Sequence, residues 1–407
     1  MPTDAMMDVD FAVDTLPDLD QRLSELRATG ERIVPVRWSG ERAWMVLNYR
    51  DVYAVMGDDE GIPARTEYVK STPTLGHTPL KFKGKEHLES RAVLAAPFKP
   101  AEVRARVESL LRPLADELIT GFAGRGEVNL VGEYARRYTF RVMSGLLGAP
   151  IDDEDRLISL TYALLPPLKK GELGQEQAVA AQWQDSMAAK GAMNDYLRPI
   201  VESRRYAPRH DAITYLVHAR EGDRPIGEEV LFDYIRLLYP AGAETTHMAI
   251  VHMMALVLGD PALKQRLIER PGDRAAVVDE ALRLSPPVCL LPRILDQDRD
   301  VCGVRLDAGT VVLLAIASGN RDDHAYSDPD EFSVDRKGKP VLSFGAGPHH
   351  CLGLHLAKAE MLMSLNRLLD RLTGLRLSRP VPPATGGLVR WIPELWVCFE
   401  RIESASR

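Results

Sequence analysis

The chain has 407 residues, 45% of them hydrophobic, and its 58 acidic against 51 basic side chains leave a net charge of −7. That balance excludes the broad basic face on which nucleic-acid binding rests. Four cysteines are too few for a disulfide scaffold at this length, none forms a Cys-x-x-Cys pair, and reduced thiols point to the cytoplasm.

Residues 1–22 are studded with Asp and lack a basic start followed by an apolar run, so no secretory signal is expected. No stretch approaches 18 uninterrupted apolar residues, so no membrane anchor is expected either. Residues 18–29 have helical spacing and stop at Gly30. Residues 33–38 and 43–47 flank Ser39-Gly40, which predicts a β-hairpin, and helical spacing resumes over 51–56. Residues 61–84, rich in Pro, Gly, Thr and Lys, predict a long loop of the functional kind. Its Arg65, Lys70, His77 and Lys81 could meet an anionic group, although such charges are usually solvated.

From 86 to 259 the chain is mostly helical, with apolar three- and four-residue spacing over 103–122, 130–147, 177–205 and 228–258. Gly148-Ala149-Pro150 and Pro166-Pro167 break it. Shorter helices follow at 261–269 and 273–284, then strands at 301–305 and 310–316 and an irregular stretch over 320–343. A helix at 352–372 and a strand-like tail at 387–401 complete the pattern. The expectation is one mainly α domain with small β-sheets over 1–407. It has a β-rich part at 30–85, a helical core at 86–372 and C-terminal strands at 387–401.

The decisive segment is Ser343-Phe344-Gly345-Ala346-Gly347-Pro348-His349-His350-Cys351-Leu352-Gly353. Its glycines allow a tight turn, and the helix after it places the Cys351 sulfur at a helix N-terminus. There the dipole and free N–H groups favour thiolate, a ligand for iron. The plain alternative is a buried cysteine at a cap, which is the reading for Cys289, Cys302 and Cys398. A metal cluster of His349, His350, Cys351 and His355 fits no usual zinc spacing.

Phe344 to Gly353 matches in full the pattern Phe-Gly-x-Gly-x-His-x-Cys-x-Gly and so resembles the haem-binding segment of the cytochrome P450 family. The resemblance implies that family's fold, a triangular prism of helices around a buried haem b. It makes Cys351 the iron ligand, sets Phe344 beside the haem near the sulfur, keeps Gly353 small against the porphyrin, and turns His349 to a propionate.

Three further motifs follow the same order as in the family. Ala241-Gly242-Ala243-Glu244-Thr245-Thr246 is similar to its oxygen-binding stretch. Cleaving an O–O bond consumes protons, and a carboxylate beside a hydroxyl can relay them through water. The resemblance thus makes Glu244 and Thr245 catalytic and leaves room at Ala241 beside the haem. Pro240 departs from the pattern, removing a helix hydrogen bond and crowding the carbonyl of Arg236, so a bend is expected. Glu280 and Arg283 share a helix face, and the resemblance adds Arg336 to them as a buried structural lock. His87, four residues before Arg91, and Arg293 are assigned with His349 to the propionates, which need cations or donors once buried.

The similarity covers the chain from the hairpin to the tail. It implies insertion of one atom of O2 into an organic substrate. The electrons would come from NAD(P)H through a flavin reductase and an iron–sulfur ferredoxin, since the stretch after Cys351 has no room for a flavin domain. An acidic ferredoxin would dock near His350, Lys358, Lys99, Arg104 and Arg112. Leu237, Leu238, Ala243, Val288, Leu290 and Leu291 would line a mostly apolar pocket, implying a hydrophobic substrate. Two other functions stay open: peroxide-driven oxygenation, and a non-oxygenating haem protein that binds or senses small molecules. Glu244 and Thr245 speak against both.

Overall fold

The computed structural model describes residues 8–64, 72–122, 124–151, 154–164 and 176–402. Helix α1 (Leu19–Arg27) precedes a hairpin of β1 (Ile33–Trp38) and β2 (Glu41–Val46), with Trp38 paired to Glu41. The connecting Ser39 and Gly40 have φ of 55° and 84°. Positive φ at both positions marks a type I′ turn, whose twist matches that of the strands. Helix α2 (Tyr49–Gly57) follows, capped by the Asn48 side chain, which accepts from the Asp51 N–H.

Two late strands, β3 (Leu290–Ile294) and β4 (Val311–Ala315), complete a four-stranded sheet in the order β1-β2-β4-β3. The β2–β4 pairing is parallel and the other two are antiparallel. Side chains alternate across it. Val34, Val36, Met45, Leu290 and Leu313 pack with the leucines of α1, whereas Ile33, Val46, Val312 and Leu314 pack with Val52 and Val55 of α2.

The helical body comprises α3 (Gly84–Ala95), α4 (Arg112–Gly121), α5 (Arg136–Leu147), α6 (Glu154–Ala163), α7 (Glu176–Tyr206), α8 (Glu228–Gly259), α9 (Arg274–Leu284) and α10 (Leu354–Arg371). At its centre lies α8, buried on every side over residues 231–240 and 246–254. By length and composition α8 could cross a membrane, but 67% of its apolar window is buried inside the protein, as befits a core helix. It approaches α5 closely at Gly242, where a Cβ would lie 2.4 Å from the Met143 sulfur.

Several elements depart from the sequence expectation. The 103–122 helix is interrupted by a π turn, Val107–Leu111, just before α4. Pro113 lacks the N–H that an α-helix would direct to residue 109, and the widened turn absorbs the loss. The 61–84 loop holds a short helix, Thr72–Leu75, and a 3-10 turn, Pro79–Lys81. The strand expected at 301–305 is instead a hairpin of Arg299–Val301 and Val304–Leu306, turning at Cys302 and Gly303 with positive φ. Helix α8 stays helical through Pro240, and the Pro166-Pro167 break lies outside the described residues.

Candidate active site

The loop before α10 is shaped by its glycines. Gly345 and Gly347 have φ of 70° and 69°, and a Cβ at 347 would stand 2.7 Å from the Gly57 Cα. This packs the loop onto the end of α2. The Cys351 N–H donates to the Phe344 carbonyl at 2.8 Å, closing the turn. Burial pushes the Cys351 thiol up, while the N–H groups of Gly353 and Leu354 and the Arg91 guanidinium pull the other way. The helix N-terminus thus faces the sulfur, and a metal cation would supply the charge that the thiolate still needs.

Cys351 is exposed at its surface although burial dominates its titration. The two facts together set the sulfur at the wall of an interior space. Ala241 is likewise exposed, between two fully buried stretches of α8, and α8 packs on α10. An accessible thiol just before α10 and an accessible alanine on α8, both deep in the fold, fit a flat cofactor held between them. Phe344 is half-buried beside the same loop, and Gly353 leaves its Cβ position 4.0 Å from the sulfur.

At the edge of this region His87, on α3, lies with its ring centroid 4.2 Å from that of His349. Its Nε2 is buried without a hydrogen-bond partner. His349 Nε2 stands 3.1 Å from Asp59 Oδ1. Burial drives His349 down to about 4, with Asp59 opposing and His87 and Arg293 assisting. Arg293, on β3, is buried beside them. Burial, and after it the charge of the neighbouring Arg91, lowers His87, and Arg91 itself donates to the His350 carbonyl. An orphaned imidazole nitrogen next to a second imidazole and a buried guanidinium fits a ligand carboxylate. Asp59 was not foreseen, being an ordinary acid in the run Asp58-Asp59-Glu60.

On α8 burial alone raises Glu244 to about 7, so near neutral pH it is divided between its protonated and charged forms. The Thr245 hydroxyl donates to the Ala241 carbonyl at 3.1 Å. Leu237 and Leu238 are buried on the same helix face, one turn before Ala241. Val288 and Leu291 are half-buried and pack together against the α2 side of the sheet.

Two pocket residues need correction. Ala243 is two positions from both Ala241 and Thr245, hence on the far side of α8. Its carbonyl accepts from the Thr139 hydroxyl at 3.0 Å, against α5. Leu290 is fully buried against α1, because strand alternation turns it opposite to Leu291.

One loop cation, Lys81, is corrected as well. Lys81 is buried, donates to the Gly76 carbonyl, and is pushed by burial down to about 8. The His77 N–H donates to Asp233, which also pairs with the buried Arg236. Lys81 is therefore not a solvated charge, whereas the His77 side chain is exposed and only its backbone N–H helps pin the loop to α8. Arg65 and Lys70 lie outside the described residues.

Glu280, Arg283 and Arg336 meet in the interior. Arg283 donates twice to Glu280, both at 2.8 Å, and Arg336 Nε and the Ser333 N–H donate to the same carboxylate at 2.8 and 2.9 Å. Burial opposes the charge, but the two guanidiniums and the N–H outweigh it and hold Glu280 below the usual range. Arg283 also donates to the Asn320 carbonyl. The Asn320 side chain accepts from the Leu342 N–H and donates to the Ser343 hydroxyl. The lock therefore reaches the start of the cysteine loop. Among the described residues His349, His350, Cys351 and His355 do not converge on a metal site; the ligand atoms that do belong to Asp322, Asp323 and the exposed His324.

Comparison with known proteins identifies relatives along most of the chain. The family model for cytochrome P450 matches residues 275–398. A mycinamicin IV hydroxylase/epoxidase from Micromonospora griseorubida is 32% identical over 351 residues, covering 84% of this chain and 85% of its own. A nocardicin C N-oxygenase from Nocardia uniformis subsp. tsuyamanensis is 31% identical, covering 88% and 90%. A myxobacterial cytochrome P450 in complex with myristic acid superposes with a TM-score of 0.85 at 27% identity, covering 95% and 97%. A P450 in complex with a hexadec-9Z-enoic acid ligated acyl carrier protein gives 0.83 at 26% identity, covering 94% and 98%.

Proposed function

Because this chain belongs to the cytochrome P450 family, we propose that it is a single-domain haem-thiolate monooxygenase acting on a hydrophobic organic substrate. The observation that carries the reading is Cys351, an accessible thiol deep in the fold with two helix N–H groups directed at it. Its thiolate would hold the iron, with Phe344 and Gly353 alongside. His87, Arg293 and His349 would take one haem carboxylate, and Arg91 would guard the thiolate or reach the other. Bound there, haem supplies the oxygen activation, which thiolate ligation favours.

The chain's own residues do the rest. Glu244, raised by burial to about 7, can take up and give a proton near neutral pH, while Thr245 holds its hydroxyl at the accessible Ala241 position. Leu237, Leu238, Val288 and Leu291 keep water from the substrate. One oxygen atom enters the substrate and the other leaves as water, with two electrons and two protons consumed. The apolar lining supports a hydrophobic substrate, as do the fatty ligands named for two structural relatives.

The electrons would pass from NAD(P)H through a flavin reductase and a ferredoxin to this protein in the cytoplasm. Of the cations proposed for docking, Lys358 is paired with Asp279 at 2.7 Å and Arg112 with Glu108 at 2.6 Å. That favours Lys99 and Arg104, both exposed, as steering charges. A peroxide-driven reaction has less need of a proton from Glu244.

The test is the absorption spectrum of the reduced protein with carbon monoxide. A Soret band at the long wavelength typical of thiolate-ligated haem is expected, and Cys351→His should move it to the shorter wavelength of histidine ligation. Haem-supplemented protein that takes up none would sink the proposal.

A further inference from the structure

One cation of the strap over residues 72–81 has no part in the monooxygenase reading so far, though what it implies rests on that reading. The strap lies on α7 and α8, and polar groups of both helices hold it there. Lys190 of α7 donates to the Pro73 carbonyl at 3.0 Å, and Arg236 of α8 donates to the Thr74 carbonyl at 3.1 Å. The Asp233 carboxylate accepts from the His77 N–H at 2.8 Å and pairs with Arg236. Gly76, with φ of 73°, presses so closely on that carboxylate that no Cβ would fit.

Lys81 ends the strap with only 7% of its surface exposed. An ammonium has three donors, yet among the described residues the acceptor that Lys81 finds is the Gly76 carbonyl alone. The charged groups facing it are Asp233 of α8, which attracts, and Lys190 of α7, which repels. Asp233 is already engaged by Arg236 and the His77 N–H. Three cations, Lys81, Lys190 and Arg236, thus gather about one carboxylate, and the next acid, Glu229, lies at the exposed start of α8. Burial pushes Lys81 down to about 8, so it still carries its charge near pH 7. A buried cation without a counter-charge is costly, and an arriving anion relieves that cost.

Position ties this cation to the substrate. Asp233, Leu237 and Ala241 are spaced four apart and run along one face of α8. Leu75 and Leu80 of the strap belong to the same apolar cluster as the pocket residues Leu237 and Leu238. At a rise of 1.5 Å per residue, Asp233 lies about 12 Å along the helix from Ala241. Lys81, facing Asp233, therefore stands at the far end of the apolar lining from the accessible Ala241.

We propose that Lys81 is a specificity-determining residue whose ammonium binds a carboxylate at one end of an otherwise apolar substrate. The carboxylate accepts the ammonium protons that the Gly76 carbonyl leaves free. The apolar body lies along Leu237 and Leu238, and oxidation falls about 12 Å from the anionic end, as the helix rise sets it.

The experiment titrates the holoenzyme with decanoic to hexadecanoic acids, with phenylalkanoic acids of similar length, and with the methyl ester of each. Binding is read from the spin-state shift of the haem absorption, and KM from product formation. Wild type should prefer acids to esters by about tenfold or more, as a charge-assisted contact provides. Lys81→Gln keeps a donor for the Gly76 carbonyl without the charge, and Lys81→Met removes both. Each should erase the preference by weakening the acids, with ester binding and the carbon monoxide band little changed. Equal affinity for acid and ester in wild type, or a preference that survives in Lys81→Gln, would overturn the role of Lys81. So would a protein with the thiolate band that binds none of the acids. Haem uptake without the thiolate band would instead overturn the monooxygenase reading on which the role rests.

Discussion

Replacing Glu280 by Ala tests whether the buried charge cluster holds the cysteine loop. The carboxylate accepts two bonds from Arg283, one from Arg336 and one from the Ser333 N–H. Arg283 is only 1% exposed, so its guanidinium would lose its counter-charge with no access to water. Removing one partner of such a pair costs about 3–5 kcal/mol. Arg283 keeps its carbonyl acceptors on Asn320, Pro329 and Glu331, which argues for about 4 kcal/mol rather than more. That is a large fraction of the about 5–15 kcal/mol by which folded proteins are stable.

The assay is urea unfolding of wild type, Glu280→Ala, Arg283→Met and the double variant. The double variant should cost clearly less than the sum, because no charge is left unpaired. The pH sign follows from the depressed carboxyl. The stabilisation is complete above the ordinary glutamate value of about 4.3 and is lost as pH falls toward the depressed one. Glu280→Ala should therefore remove part of the acid-side loss of stability. A cost below about 1 kcal/mol, or strict additivity in the double variant, would refute the reasoning.

Two further outcomes are expected. Burial raises Glu244 to about 7, so wild type should lose stability as pH climbs from about 4.3 to that value. Glu244→Gln lacks this loss, so its melting temperature should gain on wild type between pH 5 and pH 8; an equal gap at both would contradict the shift. Gly347→Ala meets a left-handed φ and a contact of 2.7 Å with the Gly57 Cα, at a cost of about 2–3 kcal/mol. Thermal melts and the carbon monoxide band should both register the displaced loop, and an unchanged pair would show that the contact yields freely.

What was legible in the sequence was local backbone chemistry. Ser39-Gly40 specifies its turn through φ, and the glycines before Cys351 do the same, so the hairpin and cysteine loop emerge from a few residues. Glu280 and Arg283 were legible as neighbours on a helix, whereas joining Arg336 to them required the resemblance. Facing direction was harder. A likeness of motifs gives position along a helix or strand but not rotation, which is why Ala243 and Leu290 were placed on the wrong side. Asp59 meets His349 across 290 positions, a distance at which no local pattern operates. Lys81 reads as a solvated charge until the loop is seen pressed against Asp233. The π turn at Val107–Leu111 leaves the apolar spacing almost intact, so only Pro113 hinted at it.

The parallel pairing of β2 with β4 joins residues 43–46 to residues 311–314. During synthesis, an early hairpin must therefore wait, with one edge open, until three-quarters of the chain has left the ribosome. Such long-range closure is slow and leaves a strand edge available for wrong partners. The charged residues Arg37, Glu41 and Arg42 near the hairpin tip are of the kind that discourages such wrong pairing at an open edge.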